Sequence, residues 1–547
     1  MPRVSEAVWT PHSGTEQRSR LVELDQSSLR HYPNRVNERK IPWVEIGILV
    51  LAALLRFVLL DIKPPHFDEG VNGWFAAQMA KNGYYHYDPT NYHGPLHFYA
   101  VFAAQTLFGR EIWAIRLPIL LVSMACVWMT LRFSRFLGAP AARWAALAMA
   151  ISPAYVFYGR YTIHESWLVL FLLMTCWGLL GLWRDGTRQY LFAIVAGICG
   201  MILTKETYVM HIAAFGLAAL TLWGWQFISP SRPAHPIAAQ SWTRRDLASS
   251  VGLAILAIVF FYSGNFLDFP GLKGLYQTFA AWTHTGVDAA GHDKPLYDLT
   301  LLGHKVINTY WLMLFARYEW PALIGFATAV VLASPSDARL RFIAIYGAGA
   351  LVAYSIVPYK TPWCIISIQW PFLLLFGVAI AWLSKRHFLA AVTMAAIVLG
   401  VSLYQSLRLN FQHFTDEKEP YVYVQTYREV NTLVKPLLDL AKSDPRYYGV
   451  TGQILLDSYY PLPWMLGDFT QFGYYNKSNF PEAHDVDVVV VESSRADAVA
   501  ARLPEPYYRR DFRLRDSQDL CVVFFRQEVF SKWFGNQPLE IKEVTPK

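Results

Sequence analysis

The sequence predicts an α-helical polytopic membrane protein of about eleven spanning helices with a C-terminal α/β domain, and three observations carry that prediction. Of its 547 residues 54% are hydrophobic and only 16% charged, against roughly 25% charged in an ordinary soluble domain. The apolar residues gather in runs near the ~20 residues that cross a bilayer as a helix. After about residue 408 the pattern changes to short strand-like runs alternating with amphipathic ones. Aromatics reach 16%, with 20 Trp, as expected where Trp and Tyr line two membrane interfaces.

Residues 1–41 are polar and hold seven Lys or Arg, with no small-residue cleavage site after the first apolar run, so they read as a disordered cytoplasmic tail rather than a signal peptide. The transmembrane part is expected over 42–408. Its spans are placed at 42–62, 114–136, 141–158, 166–183, 189–204, 207–227, 247–266, 320–334, 341–357, 363–383 and 387–405. Every second connection is rich in Arg: Arg132, Arg135 and Arg143; Arg184 and Arg188; Arg232, Arg244 and Arg245; Arg339 and Arg341; Lys385 and Arg386. Basic residues in short loops mark the cytoplasmic side, which puts the N-terminus inside and, after an odd number of crossings, the tail outside. The protein is thus expected in the inner or plasma membrane. Two long outer loops follow, 63–113 and 267–319. In the first, His97 to Phe108 is too short to span and is expected in the interface.

The tail, 409–547, opens no obvious binding signature. Asp485 to Val491 and Leu520 to Phe525 read as buried strands, and 425–442 and 493–503 as helices. Asp485-Val-Asp487 resembles a DxD metal motif but leads into an apolar strand, so it reads as structural. The net charge of +7 is spread over short loops and forms no basic stripe with interleaved aromatics, which excludes nucleic acid as a partner. Five scattered cysteines with no CxxC pair argue against a zinc site or disulfide framework.

Ionisable residues collect where helices meet the outer interface. The first outer loop begins Pro64-Pro65-His66-Phe67-Asp68-Glu69-Gly70, the second turn contains His164-Glu165, the third Lys205-Glu206, and a fourth Tyr359-Lys360-Thr361-Pro362-Trp363. Each has a plain structural reading: helix caps for Asp68-Glu69 and His164-Glu165, a self-neutralising pair for Lys205-Glu206, snorkelling for Lys360, an interfacial histidine for His93. Four turns placing titratable groups on one face is what capping does not require, and points to a site there.

Asp68-Glu69 after the first helix, with His164-Glu165 in the next outer turn, resembles the GT-C glycosyltransferases, and most closely the protein O-mannosyltransferase group, family 39. His66-Phe-Asp-Glu-Gly70, His93-Gly-Pro-Leu-His97, Tyr359-Lys-Thr-Pro-Trp363 and Tyr459-Tyr-Pro-Leu-Pro-Trp464 further resemble the prokaryotic flippase-activity-associated family. The resemblance implies a polyprenyl-phosphate-linked sugar donor, inverting transfer at the outer membrane face, and a glycan, lipid or protein acceptor. No WWDYG-like motif is present, which argues against an oligosaccharyltransferase.

A phosphate leaving group departs as a stable anion, so such a transfer needs one base and positive charge near the phosphate rather than two carboxyls. Asp68 is the expected base, with Glu69 orienting the acceptor or tuning Asp68, and Gly70 letting a ligand approach the backbone. Lys360 and Lys205 are the expected phosphate contacts. His66, His93, His164, Glu165 and Glu206 are expected to shape the sugar site, and Tyr359 and Trp363 to stack on the sugar or the prenyl chain. The residues name no definite cofactor, and a divalent metal is compatible with them. The rival reading is a non-catalytic partner of a lipid-linked glycan flippase or transporter. Against it, the chain shows neither internal repeat symmetry nor polar groups at midplane.

Overall fold

A computed structural model describes residues 42–228, 241–288, 292–332, 337–476, 479–481, 484–516 and 518–541. The expectation for residues 1–41 lies outside the described residues. Among them, eight helices are long and apolar enough to cross a membrane: Trp43–Ile62, Ile112–Leu137, Glu165–Asp185, Tyr208–Trp225, Arg244–Tyr262, Ala338–Ile356, Pro362–Arg386 and Phe388–Phe411. The other three expected spans fall on the shorter helices Ala139–Ile151, Arg188–Ile202 and Trp320–Val331. The span expected over 141–158 is broken at Ser152, whose hydroxyl accepts the Tyr155 N–H while Pro153, lacking a donor, starts a new helix, Pro153–Tyr158. Pro362–Arg386 is the most enclosed of the long helices, and its Ile365, Ile366, Trp370 and Phe372 form the centre of the main core.

Arg56, the charge inside the first apolar run, is fully buried. Its guanidinium donates to Ser123 Oγ at 2.8 Å and to the Ala150 carbonyl at 2.9 Å, the kind of internal partnering that makes an intramembrane charge tolerable.

Four helices frame or lie within the segment 63–113: α1 (Trp43–Phe57), α2 (Phe67–Asn82), α3 (Leu96–Phe108) and α4 (Ile112–Arg132). α3 has 13 residues, about 20 Å of helix, and packs against α2 and α4. The second long loop holds a helix, Gly274–Asp288, and a hairpin of β1 (Asp298–Leu301) with β2 (His304–Asn308).

The tail folds as an α/β unit. Its strands are β3 (Gly452–Leu455), β4 (Phe472–Tyr475), β5 (Val488–Glu492), β6 (Tyr507–Phe512), β7 (Cys521–Arg526) and β8 (Glu540–Ile541), ordered β4-β3-β5-β7-β6-β8. β3 is parallel to β4 and β5, while β7 is antiparallel to β5 and β6. The two runs expected as strands are neighbours at its centre. Val488 and Val490 pack with Leu433 and Leu437 on one face, and Val489 and Val491 with Ala496 and Val499 on the other. A strand covered on both faces carries an unbroken apolar run, which is why the alternation is absent from the sequence.

The tail sits directly on α2. A Cβ on Gly70 would lie 2.3 Å from Pro461 Cα, and one on Gly73 2.3 Å from the Trp464 ring. The Trp464 indole donates to Gln105 Oε1 at 3.0 Å, and Arg110 bridges α3 to Asp468 at 3.1 Å. Gly70 therefore admits the tail, not a ligand, which corrects the expectation for it.

Candidate active site

The site is built on the first turn of α2. His66 is the N-cap: its Nδ1 accepts the Asp68 N–H at 3.0 Å, so the ring proton sits on Nε2 and is donated to the Tyr423 carbonyl at 2.7 Å. Burial holds the imidazole pKa below its ordinary value, consistent with this neutral tautomer. His66 is fixed in place as a cap, with both nitrogens taken by backbone groups.

Glu69 closes the capping box. Its Oε2 accepts the His66 N–H at 2.9 Å and Arg116 Nη2 at 2.7 Å; Oε1 accepts Arg116 Nε at 2.8 Å and the Thr162 N–H at 2.9 Å. Burial alone would raise its pKa, but Arg116 and Lys63 outweigh that and hold it low. With four donors on two buried oxygens, Glu69 is a structural carboxylate, which corrects its expected place beside the base. Arg116 spends its remaining donors on the Leu60, Lys63 and Pro64 carbonyls. The pair thereby rivets the Pro64-Pro65 turn to α4.

Asp68 is different. Its side chain is 36% exposed, with the His66 ring 3.7 Å away. Tyr92, His292, Tyr359 and Tyr423 lie within electrostatic reach of it. The His292 ring packs 4.4 Å from Tyr359 and is hydrogen-bonded to the Tyr423 hydroxyl. Trp363 lies 5.8 Å from Tyr423 and 6.1 Å from His66. Burial raises the Tyr92 phenol to about 12, with Glu206 and Asp68 adding to the rise and Lys205 opposing it. The Tyr359 phenol is raised by burial, Tyr92 and Asp68. Tyr92 and Tyr359 thus feel both Asp68 and the Lys205-Glu206 turn.

The other ionisable groups there are already partnered. Lys205 is ion-paired with Glu165, and Glu206 with His93 at 2.9 Å. The His164 ring is wedged between His93 and His97, at 4.5 and 4.4 Å. Among the described residues no group of three His, Cys, Asp or Glu side chains is placed to hold a metal ion. In the tail, Asp487 accepts the Thr451 N–H and hydroxyl, both at 2.8 Å, and Asp485 pairs with Arg526.

Lys360 departs most from expectation. It is fully buried, and its ammonium donates to the Tyr354, Ser355 and Val357 carbonyls, capping the end of Ala338–Ile356. Burial lowers its pKa to about 8. Its donors face a helix terminus, which departs from the expected phosphate contact.

The cation beside the Asp68 cup is one the sequence reading missed. Lys294 Nζ lies 5.8 Å from the Tyr423 ring centroid, and its ammonium has no ion-pair partner among the described residues. Burial and Lys294 lower the His292 pKa while Asp68 pulls it up, so His292 feels both charges. Arg515, from the tail, packs on Phe67 at 5.0 Å and bonds to Tyr460 and Ser458. Two grooves open on the elements that carry the site. One of about 280 Å³ between α2 and the tail is lined by Trp74, Gln78, Tyr459, Tyr460, Phe469 and Tyr474. Another, about 740 Å³ and mostly apolar, is lined by Phe57, Leu59, Leu60, Trp113, Leu117 and Leu120.

Residues 92–235 match the family model described as dolichyl-phosphate-mannose-protein mannosyltransferase. No curated protein matches the sequence. ArnT from Cupriavidus metallidurans bound to undecaprenyl phosphate superposes with TM-score 0.61 at 16% identity, over 88% of this chain and 98% of that one. Its apo state gives 0.55 at 16% identity, over 88% and 97%. An Archaeoglobus fulgidus oligosaccharyltransferase reaches 0.48 at 13% identity, over 88% and 74%. The fold is that of the GT-C membrane glycosyltransferases.

Proposed function

We propose that this chain transfers a sugar, with inversion, from a polyprenyl-phosphate-linked donor to an acceptor hydroxyl at the non-cytoplasmic membrane face. The observation that carries the reading is the contrast among the four carboxylates expected at this face. Glu69, Glu165 and Glu206 are each held by a cation or ring, while Asp68 is partly open to solvent within electrostatic reach of Tyr92, His292, Tyr359 and Tyr423. The fold shared with ArnT, whose structure holds undecaprenyl phosphate, supports the donor class.

In this reading the Asp68 carboxylate takes the proton of the acceptor hydroxyl as its oxygen attacks the anomeric carbon. The bond from that carbon to the phosphate oxygen breaks on the opposite face, and the lipid phosphate leaves as an anion. Lys294 supplies the positive charge the phosphate needs. Tyr359, Tyr423 and Trp363 offer ring faces to the sugar. The apolar groove at the ends of α1 and α4 takes the first prenyl units, and the aromatic cleft beside Phe67 admits the acceptor. No step is assigned to a metal.

The test is turnover by purified protein with radiolabelled polyprenyl-phosphate sugars, scored as acceptor-dependent loss of label from the lipid. Asp68→Asn keeps shape and removes the proton acceptor, so turnover falls by ~10²–10⁴-fold while donor binding survives. A folded Asp68→Asn protein that transfers at the wild-type rate overturns the mechanism. Sidedness is tested by single cysteines at positions 236 and 480 and an impermeant thiol reagent: 480 labels from outside and 236 does not.

A further inference from the structure

We infer that the β1–β2 hairpin is a membrane anchor: its apolar tip inserts into the leaflet that the Asp68 cup faces, and lipid is its partner. The turn between β1 and β2 is Leu302-Gly303, with φ of 52° and 79°. Two consecutive positive φ values make the tight hairpin turn that favours Asn or Asp before Gly. Here a leucine holds the first position, in a backbone region that L side chains with a bulky Cβ disfavour. That leucine is also 91% exposed, and Leu296, Leu299, Leu301 and Val306 are 86%, 55%, 66% and 57% exposed. In water this arrangement is unfavourable twice over, in the backbone and in the side chains, and a contiguous exposed apolar patch marks an interaction surface.

Continuity with the lipid-facing surface identifies the partner. β2 packs against Ala338–Ile356, one of the helices long and apolar enough to span. The end of that helix nearest the hairpin presents Val352 and Ile356, both largely exposed. The hairpin prolongs that surface. Its polarity is graded as an interfacial element requires. The base pair is Asp298 with Asn308, which donates to Asp298 Oδ1 and the Lys294 carbonyl, each at 2.8 Å, and the Lys305 ammonium reaches from beside the tip to Asp298 at 2.8 Å. The tip carries Leu301 and Leu302. His304, opposite Leu301, limits the insertion to the headgroup and upper acyl region, where an imidazole still meets water.

The hairpin is also tied to the cup. Besides the Asn308–Lys294 bond, Thr309 donates its N–H to the Tyr297 carbonyl at 2.8 Å, and Lys360 donates its N–H to the His292 carbonyl at 2.9 Å. A tip fixed in lipid therefore sets the height of the His292–Lys294 segment at the headgroup plane. The anchor does not depend on the proposed reaction.

The experiment places an environment-sensitive nitrobenzoxadiazole label on Leu302→Cys in the full chain, reconstituted in vesicles of phosphatidylcholine and phosphatidylglycerol. The five native cysteines are buried, which favours labelling at the new site. A label at Lys442→Cys, exposed on the tail helix Asn431–Ser443, is the aqueous control. The expected result is blue-shifted emission at 302, quenched several-fold more by doxyl-labelled lipid than at 442, and several-fold less by iodide. Leu301→Cys repeats the test should the 302 variant misfold. Iodide access equal to that at 442 overturns the proposal. So does shielding from iodide without quenching by lipid, which would put protein, such as a second copy, over the tip.

Discussion

The Asp68-Glu69 turn and the Lys360 turn look alike in sequence, each a proline-rich corner with charged and aromatic residues, yet they use charge in opposite ways. In Tyr359-Lys360-Thr361-Pro362-Trp363 the lysine is fully buried and spends its donors on three helix-end carbonyls, so only the neighbouring rings face the cup. In the Asp68-Glu69 turn the two carboxylates divide the labour. Glu69 is saturated and holds the corner, and Asp68 is left open beside it. The difference teaches that a charge at a membrane interface is a candidate for chemistry only when its hydrogen-bonding capacity is unspent. A fully buried, fully bonded charge has nothing left to offer a ligand.

The largest expected stability effect separates the adjacent carboxylates. Glu69→Ala leaves Arg116 buried without its counter-charge, which costs about 3–5 kcal/mol, whereas Asp68→Asn leaves thermal stability close to wild type. Equal melting temperatures for the two variants would erase the distinction. Next is Lys360→Met, which keeps bulk but orphans the carbonyls at the end of Ala338–Ile356. A loss of about 1–3 kcal/mol is expected, with donor affinity unchanged in the fraction that folds. Weaker donor binding with normal stability would restore Lys360 as a phosphate contact.

Lys294→Ala sharpens the comparison from the other side. Removing one charge-assisted contact costs donor affinity roughly ten-fold, Lys294→Arg retains most of it, and stability does not move. Equal, wild-type affinity in both variants would remove Lys294 from the phosphate site.

The smallest effect concerns the connector beneath the tail. Burial, reinforced by Asp516, raises the Glu417 pKa to about 7. A carboxyl whose folded pKa exceeds its unfolded value of 4.5 binds more protons when folded. Its contribution therefore falls as pH rises from about 4.5 to about 7 and is flat on either side. Because Glu417 is only half-buried, the slope is small, and Glu417→Gln abolishes it. Parallel melting-temperature curves for the two proteins between pH 5 and 8 would contradict the assignment.

Much of this architecture is legible in the sequence because membranes impose simple rules. Apolar runs of span length gave helices, and the two valine- and phenylalanine-rich runs gave adjacent strands β5 and β7. The gathering of Asp68, Lys205, Glu206 and Tyr359 around Tyr92 was legible too, since residues at helix ends on one face cannot lie far apart. Partner identity was not. Arg116 stands 47 residues after Glu69, and only packing reveals which carboxylate it meets, although a lone arginine in an apolar helix signals that a partner exists. His292 and Lys294 come from the second long loop and Tyr423 from the connector to the tail, where no periodicity constrains position. Gly70 signalled close approach to the backbone, but not that Pro461 of the tail would fill the space.

The most direct test of the central claim is a cryo-electron microscopy structure of the chain with undecaprenyl phosphate in a lipid nanodisc. The account predicts the phosphate in the Asp68 cup, with Lys294 as its cation, the prenyl chain leaving toward Leu60 and Trp113, and Glu69 still bonded to Arg116. A phosphate density seated at Lys360, or anywhere that leaves Asp68 out of reach of the anomeric position, would contradict it.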